Sequence, residues 1–118
     1  MDTRRVGTRY ENRAAEELER LGYGIIEKNY HCKYGEIDIV ARDGEYLVFV
    51  EVKYRKNADA GDPMDAVNYR KIKKICATAT YYMMQKHVSE YTPVRFDVVS
   101  ILGDELKLIK NAFEYTGR

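Results

Sequence analysis

The sequence predicts a mixed α/β (α+β) fold, with a small mixed central β-sheet and helices packed against it. Three observations carry this expectation. Apolar residues recur at helical spacing in two segments, 8–21 and 64–87. Four stretches, 23–30, 35–54, 94–102 and 106–113, carry the β-rich runs of strands, with Gly-containing turn signals near several joins. No window approaches membrane-spanning length. The element order is α-β-β-β-α-β-β. At 118 residues the chain can bury one core but not two, so residues 1–118 are expected to form a single domain.

In the first helix, Tyr10, Ala14, Leu18 and Leu21 form the apolar stripe, and Gly22 supplies the C-terminal stop. "YGIIEKNY" (23–30) reads as the first strand. "GEIDIVARDGEYLVFVEVKYR" (35–55) reads as a hairpin, because Ile37–Ala41 and Tyr46–Val52 flank the two-residue turn signal Asp43-Gly44. "RKNADAGDP" (55–63) has loop composition, and its Asp62-Pro63 marks a helix start. The second helix carries Ile72, Ile75, Cys76, Ala79, Tyr82 and Met83 at helical periodicity. "VRFDVVSIL" (94–102) and "LKLIKNAF" (106–113) are the last strands, joined by Gly103-Asp104.

One-third of the residues are charged, yet the net charge is only +1. Overall charge therefore neither demands nor excludes a nucleic-acid partner, and local patches must decide. Cys32 and Cys76 are too few and too far apart for a zinc site or a disulfide scaffold, and read as reduced thiols. "MDTRRVGTRYEN" has no apolar signal-peptide stretch, so the expected location is cytoplasmic, without a membrane partner.

The hairpin raises a chemical question, since Asp38, Glu51 and Lys53 interrupt its apolar pattern. With Asp43-Gly44 as the turn, Ala41 faces Tyr46, Asp38 faces Phe49 and Glu36 faces Glu51. Glu36, Asp38, Glu51 and Lys53 then share one side, while Ile37, Ile39, Val48, Val50 and Val52 cover the core side. A β-bulge would change this parity. Asp38 and Glu51 become diagonal neighbours with Cα atoms about 7–8 Å apart. At that separation both can converge on one divalent cation at oxygen distances of about 2.1–2.5 Å. The bland reading is a solvated face balanced by Lys53, Arg42 and Arg55. One lysine cannot neutralise three nearby acids, so a metal site is the sharper reading.

The helices add candidates on either flank. Gly7, Glu11, Ala14, Leu18 and Leu21 fall at alternating steps of four and three, which sets Glu11 in the inward stripe. A carboxylate there is unfavourable unless it meets a cation or donors. Glu16 and Glu19 point outward, and Glu17 is a weaker alternative. In "NYRKIKK", three of Arg70, Lys71, Lys73 and Lys74 point away from the apolar stripe, as a solvated face does. Lys71 lies at the stripe's boundary, where a long side chain can reach the sheet edge. With Lys53, Arg55 and Lys56 it makes a basic zone beside an acidic pocket. Phosphodiester chemistry uses that pairing: cations hold the backbone while a metal activates water.

An Asp on one strand, Glu-x-Lys on the next and an upstream helical Glu together resemble the PD-(D/E)XK nuclease superfamily. More closely, the chain resembles the bacterial YraN-like family of endonucleases, related to archaeal Holliday-junction resolvases. "GEIDIV" and "VFVEVKYR" match that family's two most specific motifs. "GTRYENRAAEELERLGY", "AVNYRKIKKICATATYY" and "VRFDVV" lie around them in the same order, so the resemblance covers nearly the whole chain. One departure is Tyr10, where the family commonly has glycine. The resemblance implies a restriction endonuclease-like αβββαβ core with Mg²⁺ or Mn²⁺ on Asp38 and Glu51. It implies the Val52 carbonyl as a third protein ligand and Glu11 binding directly or through water. Lys53 would position or activate the attacking water, and Lys71 would contact the scissile region. Arg55, Lys56, Arg70, Lys71 and Lys74 are the candidate nucleic-acid contacts. The expected partner is DNA, branched or structured DNA included.

His31 and His87 have no partner at metal-ligand or triad spacing and read as surface residues. The eleven tyrosines could stack on bases but read first as packing residues. Tyr81, on the outer side of the second helix, could belong to a self-association surface, and a homodimer would suit cutting of two strands. Two other function classes stay open beside the enzyme: a catalytically silent nucleic-acid-binding module that keeps the nuclease fold, and an interaction protein whose acidic face is simply solvated.

Overall fold

Two amphipathic stretches and five β-rich runs fold into two helices on either side of one sheet. The computed structural model describes the backbone of residues 3–116 and the side chains of residues 9–116 apart from Ala60. The elements are α1 (Thr3–Arg20), β1 (Gly24–Cys32), β2 (Gly35–Asp43), β3 (Tyr46–Arg55), α2 (Tyr69–Gln85), β4 (Val94–Leu102) and β5 (Glu105–Ile109). Residues 1–2 and 117–118, the ends of the expected domain 1–118, lie outside the described residues. Gly7, the first member of the expected inward stripe, lies outside those whose packing is described.

The sheet order is β1-β2-β3-β4-β5. Three neighbouring pairs are antiparallel, and β3 runs parallel to β4. A parallel pair needs a long crossover, and α2 with the loop before it supplies that connection. The result is a mixed α+β fold, a five-stranded mixed sheet flanked by two helices, compatible with a restriction endonuclease-like core. Among the described residues, no helix is long and apolar enough to cross a membrane.

Both faces of the sheet are buried, whereas the sequence suggested that the acid-bearing side was not core. Ile75, Cys76, Ala79, Tyr82 and Met83 of α2 cover Val40, Leu47, Phe49 and Phe96. Ala14, Ala15 and Leu18 of α1 cover Ile39, Ala41, Val48, Val50, Val99 and Ile101 on the other face. Ile37 belongs to the α2 side although Ile39 belongs to the α1 side, so β2 changes face between them. Across the ladder, between the pairs Lys28–Ile39 and Tyr30–Ile37, Asn29 of β1 has φ 57, a left-handed conformation that interrupts strand alternation, and the register itself shifts between Ile25 and Glu27.

Several boundaries differ from those read in the sequence. Gly22 ends α1 with φ 98, as expected, and Tyr23 N–H then donates back to the Leu18 carbonyl at 2.9 Å. Leu21 therefore falls beyond the helix and is 45% exposed, while Ala15 is buried instead. Asp62-Pro63 does start a helical segment, but it is a single 3-10 turn, Pro63–Ala66, closed by reciprocal capping between Asp62 and Asp65. α2 begins only after Asn68, whose side chain accepts the Lys71 N–H. β5 ends at Ile109 rather than 113, because Asn111 and Ala112 donate to the Asp97 carboxylate and the Phe96 carbonyl.

The hairpin turn also moves by one residue. Asp43 pairs with Tyr46, leaving Gly44-Glu45 as the two-residue loop, with Gly44 at φ 61. Glycine at the first loop position suits a type II′ turn. Asp43 is retained as a strand residue by its ion pair with Arg95, at 2.8 Å. The ladder accordingly runs Ala41–Val48, Val40–Phe49 and Ile39–Val50. This is a two-residue slide from the expected register, which leaves β3's sides unchanged while altering every opposed pair.

Candidate active site

The slide decides how the acids meet. The regular ladder stops at Ile39–Val50, and its next step would set Asp38 directly across from Glu51 rather than diagonal to it. There β2 and β3 part, and the Asp38 carboxylate accepts the Val52 N–H at 2.7 Å. Glu36 does not oppose Glu51, contrary to the sequence-based pairing, and is exposed to solvent.

Glu51 is buried at 5% exposure, unusual for a carboxylate. Two lysines approach its Oε1: Lys53 Nζ at 3.0 Å and Lys71 Nζ at 3.6 Å. Lys53 arrives from the same side of β3, and Lys71 from the first turns of α2 packed over that side. Among the described residues Asp38 forms no such ion pair. Burial, followed by the Glu51 charge, pushes its carboxyl up to about 8; the Val52 N–H and the Lys53 charge act in the opposite direction.

Glu11 reaches the same place from α1. Its Oε2 is buried and has no hydrogen-bond partner among the described residues. Burial raises the Glu11 pKa, against opposing contributions from the neighbouring Asp38 and Asn29 side chains. The left-handed residue that turns β1 thus also borders the acid group, a role that "EKNYH" does not advertise except by an asparagine within a strand. Tyr10, where the resemblance led to an expectation of glycine, does not crowd this space. Its ring stacks on Tyr54 at 3.7 Å between centroids. The alternative acid Glu17 is paired with Arg20 on the helix surface.

The donor set is hard oxygen, which suits Mg²⁺ or Mn²⁺. Glu11, Asp38 and Glu51 face one another electrostatically, and the orphaned Glu11 oxygen is a group that a cation would satisfy. The residues therefore fit such an ion. Among the described residues, no three His, Cys, Asp or Glu side chains are already gathered as a ready cage. The lysines on Glu51 and the amide on Asp38 occupy part of the ligand set.

The candidate nucleic-acid contacts divide. Lys71 is drawn into the acid cluster. Arg55 is half-buried, with Nε lacking a partner among the described residues and Nη1 donating to the Tyr54 carbonyl at 3.5 Å. Lys56, Arg70 and Lys74 are exposed; Lys56 borders a cleft beside α1. The sequence reading missed Arg9 and Arg13, which line that cleft. It also missed a buried network at the other end of the sheet. There Asp97, fully buried, accepts from Tyr23 at 2.7 Å and from Arg95 at 2.9 Å. An Arg and an Asp two apart on a strand share a side, which is the signal that "VRFDVV" offered.

Comparison with known proteins gives a consistent result. The profile of UPF0102, described as an uncharacterised protein family, matches residues 10–101. A UPF0102 protein of Lachnoclostridium phytofermentans is 50% identical over 111 residues, covering 94% of each chain. One from Fusobacterium nucleatum is 47% identical over 94% of this chain and 92% of its own. One from Legionella pneumophila is 40% identical over 95% of this chain and 97% of its own.

Proposed function

The chain belongs to the UPF0102 family, and from that premise and the geometry around Asp38 we propose that it is a divalent-metal-dependent endonuclease hydrolysing DNA phosphodiester bonds. The observation that carries the proposal is the meeting of Asp38, Glu51 and Lys53 where β2 and β3 part, with Glu11 supplied by α1. The resemblance of this set to the PD-(D/E)XK nucleases supports the same reading, as does the basic zone next to the acids.

Asp38 and Glu51 would hold Mg²⁺ or Mn²⁺, together with the Val52 carbonyl, and Glu11 would join directly or through water. When bound, such an ion supplies Lewis acidity and lowers the pKa of water. Lys53, within hydrogen-bond reach of Glu51, orients the attacking water and offers positive charge to the developing phosphorane. Lys71 holds a non-bridging phosphate oxygen from the α2 side. Branched or structured DNA is the proposed substrate class, and the protein works in the cytoplasm, singly or as a homodimer.

The test is cleavage of linear, flapped and four-way DNA with Mn²⁺, Mg²⁺ or EDTA. Cutting should require metal, disappear in Asp38→Asn and Glu51→Gln, and slow by about 10²–10³-fold in Lys53→Ala. Intact DNA under every condition, with salt-dependent binding retained, would instead identify a silent binding module. Equal cleavage by wild type and all three variants would sink the mechanism.

A further inference from the structure

On the α1 side of the sheet, next to the acid cluster, lies a cleft of about 540 Å³. Arg9 and Arg13 line it from α1, Lys56 from just beyond the end of β3, and Asp104 from the β4–β5 turn. Arg9 and Arg13 are four apart on the helix and so neighbour each other along one face. The stacked rings of Tyr10 and Tyr54, inclined by 17°, form the apolar part of the lining.

Three cations thus face one carboxylate in a chain whose overall charge is +1. Among the described residues none of the three forms an ion pair; Arg13 donates instead to the Asp104 backbone carbonyl. Such a concentration of unpaired positive charge attracts a polyanion, because displaced counterions are released on binding. The tyrosine surface suits the sugar and base faces that accompany a phosphate.

Its position names the ligand. Tyr10 directly precedes Glu11, and Tyr54 directly follows Lys53. Lys53 and Tyr54 point to opposite sides of β3, so the end of this strand separates the acid cluster from the cleft. We propose that the cleft binds the phosphodiester backbone of the DNA flanking the cleaved bond, so that the substrate straddles the end of β3. Arg9, Arg13 and Lys56 are positioning residues in this arrangement: they fix the register of the strand and take no part in the chemistry. This rests on the nuclease reading and extends it by assigning where the uncut flank of the substrate lies.

Fluorescence anisotropy with labelled duplex and four-way DNA in EDTA measures binding without hydrolysis. Arg9 and Lys56 are both exposed, so the double variants Arg9→Gln/Lys56→Gln and Arg9→Glu/Lys56→Glu can be made without disturbing the core. In the glutamine pair, affinity should fall about tenfold near 0.1 M salt, and the log–log salt slope should shrink by about 2. The glutamate pair should bind more weakly still. Thermal stability and Mn²⁺ affinity, read by calorimetry, should match wild type in both. Wild-type DNA affinity and salt slope in the glutamate pair would overturn the cleft assignment while leaving the nuclease reading intact. A wild-type protein that binds no DNA would overturn both.

Discussion

Asp38→Asn should stabilise the metal-free protein at alkaline pH. The Asp38 carboxyl is pushed from 3.8 up to about 8, chiefly by burial and then by the Glu51 charge. Between those pH values the native protein holds a proton that the unfolded chain has lost. Stability then falls as pH rises, by about 1.4 kcal/mol per unit. It is fully present below about pH 4 and lost by about pH 8. Four such units set a ceiling of roughly 5–6 kcal/mol. Solvent access to a half-buried carboxyl and the screening that comes with it reduce this to on the order of 2 kcal/mol. Asparagine keeps an oxygen for the Val52 N–H and removes the charge. In EDTA, the variant should therefore melt about 8 °C above wild type at pH 8 and close to it at pH 4. Adding Mn²⁺ should raise the wild-type melting temperature more than that of the variant, increasingly so as pH rises. Scanning calorimetry across this pH range provides the test. An asparagine variant no more stable than wild type at pH 8, or a pH-independent difference, would refute the account of the acid cluster.

Other perturbations separate chemistry from support. Lys53→Ala should slow Mn²⁺-dependent cleavage by about 10²–10³-fold, and Lys71→Ala by about tenfold, since Lys53 lies nearer Glu51. Single-turnover rates would reveal a reversed order. Asp97→Ala leaves Arg95, Tyr23 and the Asn111 N–H without their buried acceptor and should cost about 3–5 kcal/mol in urea unfolding. Gly35 has φ 151, and a Cβ there would lie 3.0 Å from Thr78 Oγ1. Gly35→Ala should cost about 1–3 kcal/mol by the same assay, because it strains β2 and presses on α2; unchanged stability would mean that the contact yields freely.

The parts of the site legible in the sequence are those fixed by local periodicity. Glu51 and Lys53 share a side of β3 because strand side chains alternate, and this holds in either register. Glu11 was legible because four-three spacing aligned it with Ala14 and Leu18, both of which are buried. Opposed pairs were not legible. The Asp43-Gly44 signal was read as a turn, but Arg95 holds Asp43 in the strand from 52 positions away. Asn29 likewise lies in a segment read as an ordinary strand, although its φ of 57 is left-handed.

The sequence by itself determined the element order and the residue types offered for chemistry: three acids and a lysine interrupting or flanking apolar runs. Only the tertiary structure decided that Lys71 approaches Glu51, that Asp38 lies at the parting of two strands, and that Tyr10 turns to Tyr54. The reason is physical. Side-chain alternation and helical spacing follow from backbone geometry within a few residues, whereas register, burial and charge coupling depend on segments packed from elsewhere in the chain.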